Sequence, residues 1–118
     1  MVDIETFTEL ALSFPGAIEL PHFEKTSFRV NKKIFATLDI KLHRACLMLS
    51  EIDQSVFSAI DKTVIYPVPN KWGKQGATYV ELKMVNKNIL KDALNQAYTK
   101  IGFKNLNTKS NGKPKKTK

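Results

Sequence analysis

Between Thr26 and Ser50 the chain presents three strand-like runs almost without pause: TSFRV (26–30), KIFATLDI (33–40) and HRACLMLS (43–50). Connections this short hold no crossover helix, so consecutive runs must return beside one another as antiparallel strands. A sheet built this way buries one face and needs helices to cover it. The rest of the sequence must supply that cover.

The first connection, around NKK (31–33), sets the register. A two-residue turn at Asn31-Lys32 would set Val30 opposite Lys33 and mix polar with apolar residues on both faces. A three-residue loop, 31 to 33, instead aligns Phe28 and Val30 with Ile34, Ala36, Leu38 and Ile40. A one-residue slip exchanges the faces, so the hydrophobic pattern favours the longer loop. Phe35 is then expected to point outward beside Arg29 and Thr37.

Asp3 is placed to cap a first helix whose Ile4, Phe7, Leu10, Ala11 and Phe14 recur at helical spacing, with Pro15-Gly16 closing it. A second, short helix is expected over 53–61, capped by Asp53, with Val56, Phe57 and Ile60 facing inward. TVIYPV (63–68) and TYVEL (78–82) read as two further strands. Asn86 then opens the clearest helix, in which Ile89, Leu90, Ala93, Leu94, Ala97, Tyr98 and Ile101 form one stripe and Gly102 is placed to end it. The expected order is α-β-β-β-α-β-β-α: an α+β, two-layer α/β sandwich with a mainly antiparallel sheet and helices on one face.

Charge divides the chain. The net charge is +8, and residues 104–118 hold six lysines and no acid, which leaves +2 for residues 1–103. That tail has neither apolar periodicity nor aromatics after Lys104 and cannot offset the entropy of ordering, so it is expected to be disordered. Residues 1–103 form the expected single domain. The basic surplus favours a polyanionic partner, although a solvated tail has the same composition. No apolar run nears the roughly 20 residues of a membrane span. The start, MVDIETFTEL, carries acids where a targeting signal carries bases, and a lone Cys46 suits a reducing interior. A cytoplasmic monomer without a membrane partner is expected.

Catalytic patterns are missing. His22 and His43 stand in no metal-ligand spacing, Cys46 lies in the apolar run ACLML, and the glycines of GKQG (73–76) lack the phosphate-loop spacing. Glu5 and Glu9 lie one turn apart on a helix face and read as solvated. No catalytic residue, cofactor or metal site is assigned. Binding chemistry has more support. Residues 63–79 hold no acid, and Trp72 stands between Lys71 and Lys74 in YPVPNKWGKQGATYVEL (66–82). Lysines neutralise phosphates without reading sequence, and an exposed indole can stack on a base. The same tryptophan could instead face inward as a lid over the core. Arg29, Lys32 and Lys33 add charge at the first hairpin.

LALSFPGAIEL, TSFRVNKKIFATL and YPVPNKWGKQGATYVELKMVNKNILKDALNQAYTKI together resemble the MmcQ/YjbR family of small bacterial proteins, from about Phe7 to Ile101. The resemblance implies a YjbR-type two-layer fold, related in shape to type III secretion chaperones and to the CyaY/frataxin class. It also implies a DNA-binding role through a double-wing arrangement. Lys71, Trp72 and Gly73 match the family's basic-tryptophan loop, whereas Lys32 stands where the family commonly has glycine. The frataxin likeness suggests iron, but a basic chain with only Glu5 and Glu9 on its first helix has the wrong charge for it. The sequence therefore leads to a non-catalytic DNA-binding protein using Lys71, Trp72, Lys74, Arg29, Lys32 and Lys33. A protein-interaction module binding a peptide through its sheet, near Phe35, is the alternative, and an enzyme built around His22 or His43 comes third.

Overall fold

The structure is a computed structural model that describes the backbone of residues 1–110 and the side chains of residues 1–101. Helix α1 (Ile4–Leu12) starts as expected, with the Asp3 carboxylate accepting from Thr6 N–H at 2.7 Å. The chain then turns at Gly16, which takes a φ of +79°. Six strands follow the pattern read above with one addition. They are β1 (Ile18–His22), β2 (Lys25–Val30), β3 (Lys33–Asp39), β4 (Arg44–Met48), β5 (Ile65–Pro67) and β6 (Ala77–Glu81). The sheet is antiparallel throughout, in the order β1-β2-β3-β4-β6-β5. Helix α2 (Glu51–Ile60), the one-turn α3 (Lys71–Lys74) and α4 (Lys87–Ser110) complete the element order.

Strand β1 and helix α3 are absent from the sequence reading. β1 carries Pro21, which argues against a central strand, but at the edge of the sheet the missing N–H costs no ladder bond. His22 accordingly ends a strand and does not sit in a loop.

The hairpin register is corrected at its turn. Asn31 and Lys32 both take positive φ, 52° and 71°, and Val30 pairs with Lys33, so the turn holds two residues. A bulge then makes Phe35 an extra residue opposite the Phe28/Arg29 step, restoring Phe28↔Ala36 and Thr26↔Leu38. These pairs are the ones the three-residue loop would have given. The cost of the substitution falls on Phe35, which turns into the core beside Ala36 and meets Phe14 and Tyr98 edge-on at 6.2 and 5.7 Å. It is a core residue and offers no outward contact. Ile40, past the end of β3, is exposed.

α4 supplies most of the cover: Leu90, Ala93, Leu94 and Ala97 are fully buried against Phe28, Ala36, Leu38, Ala45, Leu47 and Val80. Asn86 caps it through its side chain, accepting from Asn88 N–H at 2.8 Å. The helix continues to Ser110 through Gly102, where its end was expected; glycine costs a helix about 1 kcal/mol against alanine, which need not stop it. Residues 111–118 of the lysine-rich tail lie outside the described residues. α2 departs further from expectation. Ser50, one turn before Asp53, is its cap, accepting from Asp53 N–H at 3.1 Å. The helix lies over the short edge strand β5, with too little sheet beneath to cover it. Phe57 alone of its expected inward residues packs on the core, while Ile52, Val56 and Ile60 are exposed.

Candidate nucleic-acid interface

The stretch 68–76 is held by its own backbone. Asn70 accepts from Trp72 N–H through its side chain at 2.8 Å, starting α3. Val68 N–H donates to Ala77 O at 3.0 Å, and Leu49 N–H donates to Gly76 O at 2.9 Å. Both glycines sit where a side chain has no room. A Cβ at Gly73 would lie 1.9 Å from the Val68 carbonyl oxygen, and one at Gly76 would lie 1.9 Å from that of Leu49. Gln54 of α2 closes the loop from the side, its Nε2 within 2.9 Å of Gly73 O, 3.2 Å of Ala77 O and 3.1 Å of Thr78 Oγ1. The consequence for Trp72 is definite. With Gly73 pressed against Val68, the indole turns out of the fold and is 53% exposed, with Lys71 Nζ 5.6 Å from the ring centroid. Trp72 does not form a lid over the core. Lys71 and Lys74 flank it on the surface.

The strand directions place the second set of residues. β2 ends at Val30 and β3 begins at Lys33, and the same end of the sheet holds Met48↔Ala77 and Pro67↔Thr78. The Lys32–Lys33 turn and the Trp72 loop therefore share one rim. From the β2–β3 turn to the β5–β6 connection is three strand spacings, or about 14 Å. α4 climbs to this rim as well: Tyr98 donates to Pro15 O at 2.6 Å and Lys100 Nζ to Leu49 O at 3.1 Å. Beyond this point the α4 backbone runs on to Ser110. Lys32, Lys33, Lys71 and Lys74 are all exposed on this rim, and the acids at the same end are Glu19 near the start of β1 and Glu51 and Asp53 at the start of α2. Arg29 does not join them. Its Nε donates to Ser27 Oγ at 3.0 Å on the helix-free face of the sheet.

That face carries a cluster the sequence reading missed. Glu81 Oε2 accepts from Arg44 Nε at 3.0 Å and also from the Tyr66 hydroxyl, and the Arg44 guanidinium lies 4.6 Å from the Tyr79 ring centre. Burial and then the Glu81 hydrogen bond push the Tyr66 phenol up. Partial burial works against the Arg44 charge, but Glu81 together with Tyr66 and Tyr79 outweighs it and raises the guanidinium further. Burial likewise pushes the Cys46 thiol up, away from reactive thiolate character. The signal was positional: Arg44↔Glu81 and Tyr66↔Tyr79 are cross-strand neighbours, visible only once the β4–β6–β5 pairing is known. At the opposite end of the strands, His22 lines a depression with Glu24 and Asp39. Neither carboxylate is hydrogen-bonded to the imidazole.

A family model described as YjbR matches residues 12–100. Among solved structures, the chain is similar to the Deinococcus radiodurans protein DR2400, which carries the family-model domain DUF419. The identity is 20% and the TM-score 0.74, over 96% of this chain and 83% of that one. None of the curated proteins matches the chain. At that identity the likeness speaks for the fold alone.

Proposed function

The chain belongs to the YjbR family, and we propose that it binds DNA without catalysing a reaction, through the rim that carries Lys32, Lys33, Lys71, Trp72 and Lys74. The observation behind this reading is that the expected residues of both loops, Arg29 excepted, lie exposed at one end of the sheet; the six lysines of residues 104–118 add to the charge of the chain. The roughly 14 Å between the loops is on the scale of the ~12 Å major groove. Lysines on either side would meet phosphates, and the exposed indole would rest on sugar or base. Arg29 takes a supporting part on the neighbouring sheet face. Affinity of this kind is electrostatic and falls steeply with salt.

Trp72 is the sole tryptophan, so its fluorescence reports on the loop directly. Titration with duplex DNA at about 50 and 200 mM salt is expected to change Trp72 emission and to show much weaker binding at the higher salt. Replacing Lys71 and Lys74 by alanine is expected to lower the salt slope by about one per lost phosphate contact. Absence of binding at the lower salt with the tail intact overturns the reading. So does binding that survives both substitutions and vanishes when residues 104–118 are removed.

A second reading, interaction with a partner protein, is favoured by α2. Ile52, Val56 and Ile60 form an exposed stripe at four-residue spacing, leading to a depression of about 210 Å³ lined by Val64, Met84 and Ile89. A partner helix binds such a stripe through matching apolar positions. This reading moves from the neighbourhood of Phe35, which is buried, to α2.

A further inference from the structure

The end of the sheet opposite the lysine rim is built differently. Phe23, in the two-residue turn between β1 and β2, is 94% exposed and takes a φ of 61°. Both features are unfavourable: a non-glycine residue in the left-handed region costs about 1–2 kcal/mol, and water receives nearly the whole ring. The neighbouring β3–β4 turn repeats the pattern, with Ile40 and Leu42 exposed and His43 at a φ of 55°. Between the two turns lies a depression of about 490 Å³ lined by His22, Phe23, Glu24, Lys25, Asp39, Lys41 and Leu42. The Phe23 ring stands edge-on to His22 at 4.9 Å, which aims it outward beside this depression.

The charge of the patch decides what it fits. Glu24 and Asp39 balance Lys25 and Lys41, and among the described residues none of the four forms an ion pair, the one salt bridge being Arg44–Glu81. Asp39 accepts from Leu42 N–H through Oδ1 at 3.1 Å. A polyanion or an anionic membrane would call for a positive surplus, which is absent here. A surface that carries a knob, a hole and equal numbers of both signs is complementary to itself, which is the requirement of a two-fold interface.

We infer that this end is a self-association surface: Phe23 of each copy enters the depression of the other, and Lys25 and Lys41 meet Glu24 and Asp39 across a two-fold axis. The expected monomer is then one side of an equilibrium. A buried phenylalanine contributes about 150–250 Å², and two turns stay well under the ~800 Å² per partner of a stable interface. Association is therefore weak and concentration-dependent. It also directs the two lysine rims to opposite poles, suited to joining two nucleic-acid segments; association itself does not depend on that reading.

Sedimentation velocity without nucleic acid, from about 10 µM to about 1 mM, tests the inference. The weight-average mass is expected to rise from 13.4 kDa toward twice that value. Phe23→Ser is expected to abolish association over this range, since each copy loses an aromatic hot spot at roughly thirtyfold apiece, while its melting temperature shows that the fold is kept. Lys25→Glu/Lys41→Glu is expected to abolish self-association and to regain partnership when mixed with Glu24→Lys. A monomer at every concentration overturns the inference. So does a dimer untouched by Phe23→Ser, or one dissolved by Ile52→Ser and Val56→Ser. Loss of binding to anionic vesicles or DNA in Phe23→Ser, with unchanged mass, would assign the patch to that partner and overturn self-association.

Discussion

Replacing Gly73 by alanine asks whether the tryptophan loop is held by close backbone packing. The added methyl would stand 1.9 Å from the Val68 carbonyl oxygen, 2.9 Å from its carbon and 3.1 Å from its nitrogen. An ordinary contact needs more than 3 Å, so backbone must yield by about 1 Å, since no flexible side chain is there to move. Val68 is tied on both sides, its N–H to Ala77 O at 3.0 Å and its carbonyl to Asn70 N–H at 2.9 Å. Overpacking costs about 1–3 kcal/mol, and each hydrogen bond stretched adds about 1 kcal/mol. Against this, Gly73 has an ordinary φ, so alanine recovers about 0.4–1 kcal/mol by restricting the unfolded chain. The net expectation is a loss of about 2–3 kcal/mol. For a domain of this size that corresponds to a melting temperature lower by roughly 10–20 °C. Chemical denaturation followed by circular dichroism measures the loss, and Trp72 emission reports whether the loop has moved in the folded protein. Trp72→Ala is the control: the indole is half exposed, and its removal is expected to cost under about 1 kcal/mol. A Gly73→Ala protein as stable as the parent, with unchanged emission, would refute the account of why this loop needs glycine.

Lys32→Gly is expected to stabilise the protein by about 1 kcal/mol, because glycine takes the left-handed turn conformation that lysine adopts only under strain; denaturation midpoints check this, and salt titration with DNA should show the lost charge. Phe35→Ala is expected to cost about 3–5 kcal/mol while Phe23→Ala costs almost nothing, a contrast that thermal melts of the two variants would establish. Gln54→Ala removes the side-chain tie to Gly73, Ala77 and Thr78, with an expected loss of about 1–2 kcal/mol and faster amide exchange in residues 70–77. The Thr6 backbone hydrogen bond and then its side chain hold the Asp3 carboxyl below its ordinary value. Since the folded-state value is the lower one, this contribution is fully present above the unfolded value near 3.9 and fades as the pH falls through the folded value. Asp3→Asn keeps the cap and is expected to flatten the acid limb of a stability–pH profile.

Much of the fold could be read from local pattern, because periodicity and capping are properties of neighbouring residues. The α4 stripe, the caps at Asp3 and Asn86, and the pairing of Phe28 with Ala36 needed no knowledge of distant parts. The loop with Trp72 was also visible as a basic, acid-free stretch. What the sequence could not reveal depended on packing between remote segments. Phe35 is buried because a two-residue turn needs a bulge to bring the hydrophobic faces back into phase, and the bulge turns that residue toward Phe14 and Tyr98. Val56 and Ile60 are exposed because a ten-residue helix lies over a three-residue edge strand. The direction of Trp72 followed from Gly73 meeting Val68, and the Arg44–Glu81–Tyr66 cluster from strands 37 residues apart coming side by side. The sequence alone determined most of the strands and helices and the charged loops, since those depend on local periodicity and composition, but not the Pro21-bearing edge strand β1 or the one-turn α3. Only the tertiary structure decided which of those residues share a rim, a face or the core, since that depends on strand order and on where backbones meet.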